Sequence, residues 1–155
     1  MPMKLRPLFD KFDGLAAYLQ SPLLLVIRLY WGISFARTGW GKLTHLEQTA
    51  GFFESLHLPL PHVNAVMAGA TECLGGVLLA LGLFARPVAV PLIFTMIVAY
   101  GTADREALQA LTSDPDKFVS AAPFLFLLAA LLVLAFGPGR ISVDALRGKK
   151  SPATG

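Results

Sequence analysis

The stretch VNAVMAGATECLGGVLLALGLF, Val63 to Phe84, decides the fold. It is apolar throughout except for Asn64, Thr71 and one acid, Glu72, near its middle. At helical spacing Ala65, Ala68, Gly69, Glu72, Gly75 and Gly76 share one face, while Leu74, Val77, Leu78 and Leu81 share the other. A stripe of small residues lets helices approach closely in a membrane, so Gly69, Gly75 and Gly76 read as packing positions. A carboxylate at the centre of a spanning helix costs about 2.5–3.5 kcal/mol on insertion scales, so it normally faces protein and takes a partner.

The rest of the chain agrees with a membrane reading. Only 15% of the 155 residues are charged and 55% are hydrophobic, against about 25% charged in soluble domains. The mean hydropathy is +0.62. A soluble fold of this length could not bury so much apolar surface. A single cysteine, Cys73, excludes an intrachain disulfide, a CxxC redox pair and a cysteine zinc site within one chain. No basic patch interleaved with aromatics points to nucleic acid.

Outward from Val63–Phe84, three further apolar segments complete an all-α, integral-membrane four-helix bundle, with spans at about 22–41, 63–84, 87–103 and 118–136. They form one domain, 22–144. Residues 1–21 are a cytoplasmic or interfacial segment, and 145–155 a basic tail. Ser21-Pro22 reads as the start of the first span. Phe9, Phe12, Leu15, Ala16 and Leu19 recur at the spacing of a short interfacial helix before it. The apolar run that follows the basic start is as long as a span and lacks a small-residue cleavage pattern, so it reads as a retained helix. Thr44-His45-Leu46-Glu47 matches a capping box opening a surface helix that Pro59 and Pro61 end. Ser113-Asp114 before Pro115 reads as another helix start. Lysines and arginines divide eight to three in favour of the N-terminal segment, the turn at Arg86 and the tail, which places both termini in the cytoplasm.

The charged residues inside the spans are the candidates for chemistry. Arg28 lies on a glycine-bearing face of the first span with Gly32, Gly39 and Lys42. In antiparallel helices its depth lies within an arginine's reach of Glu72, so Arg28 and Glu72 form the expected polar pair, either a structural clamp or a ligand-binding or proton-relay group. Arg37 and Lys42 sit near the outer end as snorkelling anchors or anion sites. Tyr30 and Trp31 are deep enough to suggest a flat, apolar ligand. His45, His57 and His62 lie in the first connection at spacings that match no metal site, and no metal is expected. No residue is singled out as catalytic.

Several motifs together resemble the DoxX family of small bacterial membrane proteins. They are Arg28-Leu29 with Gly32, Phe35, Gly39 and Lys42-Leu43; Glu72 with Gly75-Gly76, Leu79, Gly82, Arg86 and Pro87; and Gly137-Pro138-Gly139-Arg140-Ile141-Ser142-Val143-Asp144. The resemblance runs over roughly residues 23–144. It implies a four-helix protein of the bacterial inner membrane, related to the quinone-linked DoxD subunit of thiosulfate:quinone oxidoreductase. The function it implies is a membrane subunit or quinone-interacting partner in a redox or oxidative-stress system; the cofactor is left open, with quinone the candidate, and redox-enzyme subunits are candidate partners. The resemblance supplies no catalytic residue set. The alternatives are a small-molecule transporter or binding protein, and a membrane scaffold without catalytic activity. Nothing in the sequence fixes the oligomeric state.

Overall fold

A computed structural model of the chain describes residues 6–148, with the backbone alone for 6–13 and 15–17. Lys4, Lys149 and Lys150 lie outside the described residues, as do the side chains of Phe9, Phe12, Leu15 and Ala16. Among the described residues every regular element is helical: α1 Arg6–Thr44, α2 Leu46–Ser55, α3 Pro61–Leu81, α4 Ala85–Gly101, α5 Arg105–Gln109, α6 Pro115–Ser120, α7 Pro123–Phe136 and α8 Val143–Gly148. Within α1, residues Tyr18–Thr44 are long and apolar enough to cross a membrane, and so is α3; α4 and α7 are shorter apolar helices.

The two long helices pack along their length. Helix α3 also packs on α4 and α2, α4 packs on α7, and α7 returns to α1. Glycine sets the α1–α3 distance. A Cβ on Gly39 would lie 2.2 Å from the Cys73 nitrogen, and one on Gly76 would lie 2.4 Å from the Ala36 nitrogen. Gly32 and Gly69 sit in the same seam, whereas Gly75 faces the side chain of Leu92. The stripe read from Val63–Phe84 is the buried side of α3, formed by Ala65, Gly69, Glu72, Gly75, Gly76 and Leu79. Leu74, Val77 and Leu81 point outward.

Four local expectations change. No helix starts at Ser21-Pro22, because α1 runs through Pro22. The Ser21 hydroxyl instead accepts a hydrogen bond from the Arg140 N–H at 3.2 Å. The capping box does not form: Thr44 donates back to the Trp40 carbonyl at 2.9 Å, and α2 starts after His45 with no side-chain cap. The α3 helix stops at Gly82, short of Phe84. Gly82 adopts φ +66° there, and its N–H and that of Leu83 bond to carbonyls of the last turn. The segment 118–136 is two helices, α6 and α7, broken where Ala121 becomes extended two residues before Pro123. The start at Pro115 is as read, with the Asp114 carboxylate accepting from the Lys117 N–H.

Candidate functional site

The antiparallel α1–α3 pair fixes which charges can meet. Gly32 lies against Gly76 and Ala80, and Gly39 against Gly69 and Cys73. This register sets Arg28 opposite Gly82 and about 15 Å along the helices from Glu72, at 1.5 Å rise per residue. That exceeds an arginine's reach, and the two are not partners.

Arg28, fully buried, serves the end of α3. Its guanidinium donates to the carbonyls of Ala80, at 3.2 Å, Leu79, at 3.5 Å, and Ile141. The Leu79 and Ala80 carbonyls belong to the last turn of α3, where positive charge is favoured, and Ile141 lies in the segment after α7. Gly82 makes room for it, since a Cβ there would lie 2.0 Å from Nη1. Beside it the Asp144 carboxylate accepts from the N–H groups of Phe84 and Ala85, at 2.9 and 3.0 Å, capping α4. The Asp144 N–H returns a bond to the Gly82 carbonyl at 3.0 Å. The Gly137–Asp144 segment thus closes this end of the molecule onto the α3–α4 turn.

Glu72, 2% exposed, is instead paired with Lys42, whose side chain is 28% exposed. Lys42 lies one helical face with Arg28, fourteen residues on and near the other end of α1, so its amine meets Glu72 from above. The pair lines a cavity of about 310 Å³ walled by Phe52 and Phe53 of α2, Met96 of α4 and Phe126 of α7, with Thr102 and Asp104 at the α4 end. An apolar cavity with a few converging polar groups is the usual form of a small-molecule site, and this one lies at the small end of the size range. Trp31 packs edge-on against Phe126 at 4.8 Å, and Phe126 against Phe35 at 4.6 Å, so Trp31 stands behind the cavity wall. Tyr30 packs on Trp31 but is largely exposed. Arg37 faces away from the cavity, on the other side of α1. Lys42 was a secondary candidate from sequence, and α2 supplied walls that sequence reasoning did not assign. The signal for Lys42 was present: it shares the glycine face with Arg28, and a constant sum of paired positions along the seam brings it near Glu72. Among the described residues no group of three or more His, Cys, Asp or Glu side chains converges as a metal site would require. His62 bonds to Glu47 at 3.1 Å on the surface.

Residues 23–105 match the DoxX family. The chain is 32% identical over 146 residues to "Uncharacterized membrane protein Rv3486" of Mycobacterium tuberculosis, covering 86% of each chain. It is 30% identical to "Inner membrane protein YphA" of Escherichia coli, over 79% of this chain and 88% of the other. It is 33% identical to "Putative oxidoreductase CatD" of Bacillus subtilis, over 66% and 86%. No solved structure matches significantly.

Proposed function

The chain belongs to the DoxX family of membrane proteins, and on that premise we propose that it is a quinone-binding membrane subunit of a redox system. In this reading α1, α3, α4 and the α6–α7 segment cross the inner membrane as a four-helix bundle. Both termini, the Arg28 cluster and the α3–α4 turn lie on the cytoplasmic side. The cavity of Lys42 and Glu72 then opens toward the outer leaflet.

The observation that carries the reading is a buried carboxylate paired with a half-buried ammonium at the edge of an aromatic-walled apolar cavity. A quinone would supply two-electron, two-proton redox chemistry when bound. Its flat ring suits walls of Phe52, Phe53 and Phe126. Lys42 is placed to donate a hydrogen bond to a ring carbonyl, and Glu72 holds the lysine in position. Electrons would come from a partner subunit. The name of the Bacillus subtilis relative supports an oxidoreductase association.

Trp31 stands against the Phe126 wall, so its fluorescence reports occupancy. In a Trp40→Phe background, titration with a short-tailed quinone is expected to give saturable quenching that Lys42→Met abolishes. Absence of saturable quenching would defeat the reading. The cavity equally suits a binding or transport protein for another small apolar molecule. Saturable quinone binding without any redox enzyme co-purifying from native membranes would favour that second reading.

A further inference from the structure

A second groove lies on the opposite side of the α1–α3 seam, about 700 Å³ in volume. Its floor is apolar and shallow, formed by Ile33, Ala36 and Gly41 of α1 and Val77, Ala80 and Leu81 of α3. One charge lines it, Arg37, which is exposed and makes no ion pair among the described residues. Trp40, 63% exposed, stands one turn nearer the helix end, and Thr44 and His45 close the groove there. Arg37 is seven residues before the end of α1, about 10 Å along the axis. A cation at that depth needs an anion or a path to the interface.

Two occupants could supply the anion. A second copy joined about a twofold axis would bring a second Arg37, and no carboxylate lines the groove to receive it. A lipid phosphate answers the charge directly. We propose that the groove holds one anionic phospholipid. Its phosphate sits on the Arg37 guanidinium beside the Trp40 indole, and an acyl chain lies along Ala36, Val77 and Ala80. Trp40 is of the type that anchors at headgroup level, and Ile33, Ala36, Val77 and Ala80 offer an apolar surface along which a chain can lie.

The test is native mass spectrometry of the full chain in mild detergent, titrated with phosphatidylglycerol, with phosphatidylcholine of the same chains, and with inorganic phosphate. One cation near a membrane surface is worth about a five-fold preference for the anionic lipid. That preference is expected in the wild type and in Arg37→Lys, and lost in Arg37→Gln. It is expected to survive Arg140→Gln, at the other end of the molecule. Inorganic phosphate is expected not to displace the lipid. Equal binding of the two lipids, or a preference that persists in Arg37→Gln, overturns the proposal. Displacement by phosphate would also overturn it, in favour of a free-anion site. So would an interchain disulfide formed by Val77→Cys in a Cys73→Ser background, because a second copy would then cover the groove.

Discussion

Removing Lys42 and removing Glu72 are expected to cost different amounts, and removing both less than either. In Lys42→Met the Glu72 carboxylate, 2% exposed, loses its counter-charge where water cannot replace it. Breaking a buried pair this way costs about 3–5 kcal/mol. In Glu72→Met the survivor is an ammonium on a long stem, already 28% exposed. It can lift toward the interface, so the loss is nearer a charge-assisted hydrogen bond, about 1.5–3 kcal/mol. Lys42→Met with Glu72→Met fills similar volume and strands no charge, so the double variant is expected within about 1 kcal/mol of wild type. The two single losses would then exceed the double loss by about 3 kcal/mol or more, the mark of direct coupling. The assay is unfolding in mixed micelles of a mild detergent and SDS, followed by circular dichroism. A double loss equal to the sum of the singles would refute the coupling. A Lys42→Met variant as stable as wild type would show that the carboxylate has another partner. The double variant also separates stability from chemistry, since it is expected to be folded and to bind no quinone.

Gly39→Ala would push a methyl into the α3 backbone at Cys73. It is expected to destabilise by about 1–3 kcal/mol, whereas Gly51→Ala on the open side of α2 is expected to stabilise by about 0.5–1 kcal/mol, both read as thermal-unfolding shifts. Asp144→Ala removes the acceptor of the Phe84 and Ala85 N–H groups; loss of the α4 cap is expected to cost about 1–2 kcal/mol in the same measurement. The Glu106 carboxyl is held below its ordinary range by its hydrogen bond and charge contact with Lys117 at 3.0 Å. With the folded value depressed, the bridge is present above the ordinary glutamate range and is lost as pH falls through the folded value. An NMR titration of Glu106 is expected to move up to the ordinary range in Lys117→Met, and an unchanged midpoint would show that the bridge does not form.

The buried face of α3 was legible because a helix repeats every 3.6 residues and the small residues follow that repeat. Ala65, Gly69, Glu72, Gly75 and Gly76 all lie where the pattern puts them. A helix start was legible at Asp114-Pro115, where an acceptor side chain precedes a proline, whereas the stop at Gly82 was placed two residues late, at Phe84. Ser21-Pro22 was misread as a start, because the hydroxyl is used by Arg140, a contact across 119 positions. The partner of Glu72 was misread for a related reason. Composition and periodicity give each helix its face but not its slide against a neighbour. That slide is set by Gly32, Gly39, Gly69 and Gly76 interlocking with backbone. Paired in antiparallel order, those glycines put Arg28 opposite Gly82.

The two buried charges are therefore committed differently, and Arg28→Lys tests the difference. The Arg28 donors go to backbone carbonyls of Leu79, Ala80 and Ile141, which cannot change partner or protonation without the chain moving. One planar fork spans the end of α3 and the segment after α7. A lysine keeps the charge but offers a single nitrogen that cannot reach both sides. Losing one side strands a buried carbonyl, at about 1–3 kcal/mol, and frees the Gly137–Asp144 segment from the α3–α4 turn. The folded fraction should still bind quinone as wild type does, because Lys42, Glu72 and the aromatic walls lie a helix-half away. Hydrogen exchange in mild detergent is expected to rise at residues 80–85 and 140–145 and to stay unchanged at 38–42 and 72. Unchanged exchange at the first set would show that Arg28 holds nothing together. Lost quinone binding in a folded Arg28→Lys protein would show that the two ends are coupled, and that the arginine acts on the site as well as on the fold.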